Sequence, residues 1–266
     1  LKDILHFSHA NGFPASTYRT IFAELDDHYE IRAIEQYGHD PRFPVTRDWP
    51  HLVEQLLASV GERYERPVWL VGHSLGGYLS LLAALKKPQW VKGVVMLDAP
   101  VISGWRSSVL KGVQFTGLDE RLSPAAVTKK RRTHWDSREE VWRHFHAKPA
   151  FARWDERMLA DYVDYGTQPD AQGGRRLSFE REIEYLIYRT LPHTLSARLA
   201  PGVAVPVGFL AGTASREVRQ AGLAATRRLT GCSVEWIEGS HLFPMEKPLE
   251  TARALQRVLH GLAQAH

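Results

Sequence analysis

Six short runs of β-branched and apolar residues have the length and composition of buried strands: Ile4 to Phe7, Tyr29 to Ile34, Val68 to Gly72, Val91 to Leu97, Val205 to Leu210 and Ser233 to Ile237. Between and after them, apolar positions recur at helical spacing. Tyr18, Ile21, Phe22 and Leu25 share one face behind a Ser16 N-cap position, and Leu52, Val53, Leu56, Leu57 and Val60 share another. Leu75, Leu79, Leu82 and Leu85 form a third stripe, and Leu249, Ala252, Leu255, Leu259 and Leu262 a fourth. Strands alternating with helices predict an α/β domain, a mostly parallel sheet with helices on both faces. No internal repeat of solenoid or propeller length is visible.

The alternation stops between Pro100 and Val205, a stretch far longer than a crossover requires. Its signals are helical. Ser123 and Pro124 read as N-cap and N1, Ser137 and Glu140 match a capping box, and Ser178 precedes Phe179, Ile183, Leu186 and Ile187 at helical spacing. Residues 101–204 are therefore expected to be a helical cap inserted into a core made of residues 1–100 and 205–266. The insert is slightly rich in aromatics, which suits a ligand-facing lid and equally the small core of a helical unit. Gly173 and Gly174 mark a turn within it.

Composition narrows the class without naming it. Of 266 residues, 44% are hydrophobic and 24% charged, as in soluble globular proteins. A formal charge of +4 is too small and too dispersed to imply nucleic acid or membrane as a partner. The one tight basic run, Lys129 to Arg132, reads as the solvated face of a helix. A single cysteine, Cys232, permits neither an intrachain disulfide nor a thiolate zinc cluster, and a reducing, cytoplasmic compartment is expected. The start runs straight into a strand pattern with neither a basic nor a long apolar leader, so no secretory signal is read there. The most apolar window, Val68 to Leu85, is interrupted by Gly72, Ser74, Gly76 and Gly77, which suits a strand, turn and helix rather than a membrane span.

That interruption carries the chemistry. In Gly72-His73-Ser74-Leu75-Gly76-Gly77, a serine follows a buried strand and opens an amphipathic helix. A nucleophile on such a tight turn is held in strained backbone, with neighbours crowding both sides. Small residues are needed two before it and two after it. The helix N-terminus favours developing negative charge, and the Leu75 N–H is in place to donate to an oxyanion.

Together these features resemble the α/β-hydrolase superfamily, in its serine hydrolase branch with a helical cap. The resemblance covers nearly the whole chain in order of elements. It implies the order Ser, acid, His, with the histidine in a loop after the last strand, and His241 in Gly239-Ser240-His241-Leu242-Phe243-Pro244 matches that base. Chemically, a serine hydroxyl needs an adjacent imidazole to take its proton. His9-Ala10-Asn11-Gly12-Phe13-Pro14 resembles the family's oxyanion loop with two residues inserted. Aligned on Gly12-Phe13-Pro14, Phe13 gives the second oxyanion N–H; aligned on His9, Asn11 does. Gly12 and Pro14 fix a sharp turn, which favours Phe13. The family's usual acid position, three residues after Gly212, holds Ser215. Some relatives place the acid at the end of the preceding strand instead, where this chain has Asp98. Glu217 is the alternative.

The resemblance thus implies a serine hydrolase acting on a small-molecule ester or acyl substrate through Ser74, Asp98 and His241. Carbon-carbon, thioester, amide and lactone hydrolysis share the same constellation. A receptor-like ligand-binding protein with residual hydrolysis is the rival from another class, motivated by the displaced acid. No nucleotide, zinc or calcium motif occurs, so no cofactor or metal is expected. A serine at the elbow argues against the halide and epoxide chemistries of the same fold, which use an aspartate nucleophile.

Overall fold

A computed structural model of the protein describes residues 1–61, 64, 66–101, 128–192, 195–199, 202–231 and 233–264. Six strands, β1 (Asp3–Ser8), β2 (Tyr29–Ala33), β3 (Val68–His73), β4 (Val91–Leu97), β8 (Val207–Gly212) and β9 (Glu235–Ile237), form one sheet. Their spatial order is β2-β1-β3-β4-β8-β9, and every pairing within it is parallel. The central strand β3 is buried along its whole length, which is why it reads as one unbroken apolar run rather than an alternation. Val207, not Val205, opens β8, because Pro206 has no N–H to give the ladder.

Alternate residues of the strands feed two cores. Leu70, Val94 and Met96 pack on one face with Leu52 and Leu56 of α2 (Pro50–Gly61) and Leu79 and Leu82 of α3 (Leu75–Lys86). Trp69, Val71, Val95 and Leu97 pack on the other. There they meet Ile21 and Leu25 of α1 (Arg19–Leu25), and Leu255 and Leu259 of a long C-terminal helix, Pro248–Gln264. Ser16 does not cap α1: it lies in a 3-10 turn, Ala15–Tyr18, and its hydroxyl donates to Glu35 at 2.8 Å.

Between β4 and β8 the described part of the insert holds α4 (Arg138–His146), α5 (Glu156–Tyr165), α6 (Arg181–Arg189) and the short α7 (Leu195–Arg198). It is not wholly helical. β5 (His134–Trp135), β7 (Arg175–Leu177) and β6 (Thr167–Pro169) make a three-stranded antiparallel sheet in that order, with Gly173 and Gly174 at positive φ in the β6–β7 turn. Strands of two or three mostly polar residues have no apolar period to betray them. Ser137 caps α4 by accepting from the Glu140 N–H, whereas Glu180, not Ser178, precedes α6. Ser123 and Pro124 lie outside the described residues. In the basic run, Lys129, Lys130 and Arg132 are exposed, but Arg131 turns inward to pair with Glu184 at 2.5 Å, and those two side chains are 14% and 8% exposed. The chain then continues through α8 (Arg216–Ala221), α9 (Ala224–Leu229) and α10 (Phe243–Glu246), and the C-terminal helix becomes α11. No helix among the described residues is long and apolar enough to cross a membrane.

Candidate active site

In parallel register, Ser8 lies beside Gly72, His73 beside Leu97, and Leu97 beside Leu210, so the carboxyl ends of β1, β3, β4 and β8 come out together. Open α/β sheets present ligand sites at that edge. Ser74 leaves β3 with φ 52° and ψ −112°, a conformation that costs about 1–3 kcal/mol in a non-glycine residue. Its N–H donates to the Leu97 carbonyl at 2.9 Å, and its carbonyl accepts from the Gly77 N–H at 3.0 Å, which hold the turn. The glycines are demanded by space. A Cβ on Gly72 would sit 2.1 Å from the Gly76 backbone, and one on Gly76 would sit 1.9 Å from the Ser8 carbonyl oxygen.

Asp98 leaves β4 in the same way, at φ 47°, with its N–H on the Leu210 carbonyl. Its carboxylate is fully buried, and three donors offset the desolvation: the Gly212 N–H to Oδ1 at 2.9 Å, the Ser215 hydroxyl to Oδ2 at 2.5 Å, and His241 Nδ1 to Oδ2 at 2.7 Å. His241 Nε2 then lies 3.1 Å from Ser74 Oγ. Three residues from three different strand ends are therefore joined in one hydrogen-bonded chain. Glu217 stands apart from it. Its carboxylate comes no closer than 3.7 Å to His241 Nδ1 and is 47% exposed, against 0% for Asp98.

The His241 loop is tied down from both sides. Ser240 donates through its N–H and hydroxyl to the Glu246 carboxylate at 2.9 and 2.6 Å, and the His241 carbonyl accepts from His73 Nε2 at 2.9 Å. That bond requires the His73 proton on Nε2, leaving Nδ1 to accept from the Tyr18 hydroxyl at 2.9 Å; the Tyr18 oxygen in turn accepts from the Ala10 N–H at 3.1 Å. Burial, with nearby His241, pushes the His73 pKa down to about 3, so the relay keeps one tautomer. His73, Tyr18 and Ala10 thus connect the His241 loop to the loop after β1. Sequence placed His73 only in the packing around the turn.

Burial lowers the affinity of His241 for a proton, but its hydrogen bond to Asp98 and the charges of Glu217 and Asp98 outweigh this, and its pKa is raised above the usual histidine value.

The loop after β1 bears on which N–H is free to serve as the second oxyanion donor. The Phe13 N–H already donates to the Ala10 carbonyl at 3.1 Å, closing the turn that Gly12 makes at φ 83°. An N–H spent in that way is poorly placed for an incoming oxyanion. The Phe13 ring instead packs on Trp154 and Tyr162 of the insert, at centroid distances of 5.6 and 5.5 Å. The Asn11 N–H has no backbone or side-chain acceptor among the described residues, while its amide side chain donates to the Glu184 carbonyl at 3.0 Å. Leu75 opens α3 beside Ser74. His9 is neutral, pushed down to about 4 by burial, and bridges the Ala10 carbonyl and the Tyr37 N–H.

A cavity of about 820 Å³ opens over these groups, lined by Asn11, Ser74, His241 and Leu242 from the core and by Pro149 and Tyr188 from the insert. Four aromatic side chains of the insert, Phe145, Phe151, Trp154 and Tyr162, pack on one another as part of its own core, at 4.6 to 5.7 Å. Among the described residues, the only group of three histidine and carboxylate side chains close enough together to share a cation is Asp98, Glu217 and His241, and the Asp98 and His241 atoms are engaged in the bonds above.

A family model described as the alpha/beta hydrolase family matches residues 7–254. The chain is similar to Lipase LipV of Mycobacterium tuberculosis, with 26% identity over 238 residues that cover 85% of this chain and 82% of that protein. Its structure is similar to that of E-2-(acetamidomethylene)succinate hydrolase, with a TM-score of 0.76, 22% identity, and coverage of 97% of this chain and 91% of the other. It is also similar to the thioesterase domain from the curacin biosynthetic pathway, with a TM-score of 0.70, 18% identity, and coverage of 96% and 91%. At such identities the solved structures speak for the fold alone.

Proposed function

The chain belongs to the alpha/beta hydrolase family, and from that premise we propose that it is a serine hydrolase that cleaves carboxylic esters of small molecules. The observation that carries this reading is the continuous chain from Ser74 Oγ through His241 to the buried Asp98, at 3.1 and 2.7 Å. His241 Nε2 takes the hydroxyl proton as Ser74 attacks the ester carbonyl, and the imidazolium that forms is stabilised by Asp98 on its Nδ1 side. The Asn11 and Leu75 N–H groups hold the oxyanion. Collapse of the tetrahedral intermediate expels the alcohol, which leaves with the proton from His241. Water, deprotonated by the same imidazole, then attacks the acyl-serine, and the acid departs. The insert, through Pro149 and Tyr188, walls the acyl or alcohol site and keeps bulk water from it.

The test is turnover of a small activated aryl acetate. A pre-steady-state burst of phenol followed by steady hydrolysis supports the reading; tight binding of the ester with no turnover overturns it in favour of a binding protein.

The pH dependence has a definite sign. His241 works only as the neutral imidazole, so kcat/KM falls as pH drops through its pKa. Because the net shift is upward, the midpoint of that acid limb is expected above the usual histidine value near 6.5. Glu217→Gln removes one of the charges that raise it, and the midpoint should move to lower pH, extending activity into acid. An unmoved or higher midpoint in Glu217→Gln would show that the Glu217 carboxylate does not act on His241.

A further inference from the structure

The wall of the cavity beyond Ser74 and His241 carries more charge than ester hydrolysis needs. Arg153, Arg216 and Arg219 all line it, against a single lining carboxylate among the described residues, Glu217. Arg216 and Arg219 are three apart on α8, which puts them on one side of that helix. Arg153 faces the same space from the insert, at the end of the 3-10 turn Phe151–Arg153.

Their partners matter more than their number. Arg216 and Arg219 are exposed to the cavity and solvent, and among the described residues their side chains take part in no ion pair or hydrogen bond. Arg153 approaches the Glu246 carboxylate at 3.4 Å, but that carboxylate is already held by Ser240, and the arginine side chain remains 58% exposed. Glu217 does not neutralise its two neighbours either. Its carboxylate is turned toward His241 Nδ1, at 3.7 Å. Like charges kept together in a concave site focus a positive potential into it. A guanidinium offers a fixed fork of donors that fits an oxyacid group through two parallel bonds.

We propose that the substrate bears an anionic oxyacid group, a carboxylate or a phosphate, which Arg216 and Arg219 bind on the α8 wall while Arg153 approaches it from the insert. This rests on the reading of Ser74 as the nucleophile. It narrows the substrate from esters in general to anionic esters, and it gives the insert a charged role in choosing them.

The experiment uses three matched pairs of activated aryl esters, each anion set against a neutral methyl-capped twin of the same length. One pair carries the carboxylate at the far end of the acyl chain, one carries a phosphonate there, and one carries the carboxylate on the alcohol. In at least one pair the anion is expected to lead in kcat/KM by about tenfold or more, the size of one or two charge-assisted hydrogen bonds. That lead should shrink as ionic strength rises, and should fall close to unity in the double variant Arg216→Ala/Arg219→Ala. Arg216→Lys/Arg219→Lys should keep part of it, which separates charge from loss of structure. The pair with the largest lead identifies the group and the side of the scissile bond on which it lies. Neutral twins turned over as well as or better than the anions in all three pairs would overturn the proposal, as would a lead that survives intact in the double alanine variant. No turnover of any ester, neutral ones included, would overturn the hydrolase reading and this proposal with it.

Discussion

Ser74→Ala is expected to lower kcat on an activated ester by about four to six orders of magnitude, the range seen when a serine nucleophile is removed from such a triad. Without Oγ no acyl-enzyme forms, and the remaining rate comes only from binding and the oxyanion donors, about 10³ to 10⁴ over water. The fold should survive. The N–H of residue 74 still donates to the Leu97 carbonyl, and alanine meets the same backbone strain at φ 52° that serine already bears. KM on the same ester should rise toward the dissociation constant, because no acyl-enzyme accumulates to depress it. Steady-state kinetics with circular dichroism as the folding control reads this directly. A folded Ser74→Ala protein within tenfold of wild type would remove Ser74 from the mechanism.

Asp98→Asn is expected to cost about three to four orders of magnitude in kcat with the fold retained. The carboxylate of Asp98 accepts from three donors, the Gly212 N–H, the Ser215 hydroxyl and His241 Nδ1. An amide has one acceptor oxygen. Satisfying Gly212 with it turns the NH₂ toward His241, which must then accept on Nδ1 and carry its proton on Nε2, facing Ser74 and unable to take a proton from it. Glu217→Gln should leave kcat at its pH optimum within a few-fold, since Glu217 is half-exposed and 3.7 Å away. Near-wild-type activity in Asp98→Asn beside a crippled Glu217→Gln would reverse the two carboxylates. If both variants were active, Ser74 and His241 would be working as a dyad.

Why Asp98 needs Ser215 also explains what sequence could tell. The absence of a carboxylate after Gly212 is visible in the chain, and Asp98 stands out as an acid at the end of a buried strand. That the serine in the vacated place would itself hold Asp98, at 2.5 Å, depends on β4 and β8 being neighbours in the sheet. Ser74 is legible for a local reason: strand, two glycines at fixed offsets and helix all lie within a few residues. The sheet and its flanking helices were legible in the same way, because short apolar runs mark the buried strands and a period of 3.6 marks the helices.

What stayed hidden is what depends on long-range partners or on single backbone bonds. Phe13 and Asn11 could not be separated by spacing, since the choice turns on whether the Phe13 N–H is already spent on the Ala10 carbonyl. Arg131 reads as one more surface cation until Glu184 arrives from α6 to bury it. The strands of the insert carry Thr167-Gln168-Pro169 and Arg175-Arg176-Leu177, too short and too polar to show a period. Arg216 and Arg219 look like ordinary solvated charges until the fold brings them to the same cavity as Arg153.

The nucleophile can be weighed directly. The folded protein, treated with a fluorophosphonate and analysed by intact mass and peptide mapping, is expected to gain one adduct per chain on Ser74, and Ser74→Ala is expected to gain none. An unmodified wild-type mass, or an adduct that persists in Ser74→Ala, would contradict a nucleophilic Ser74.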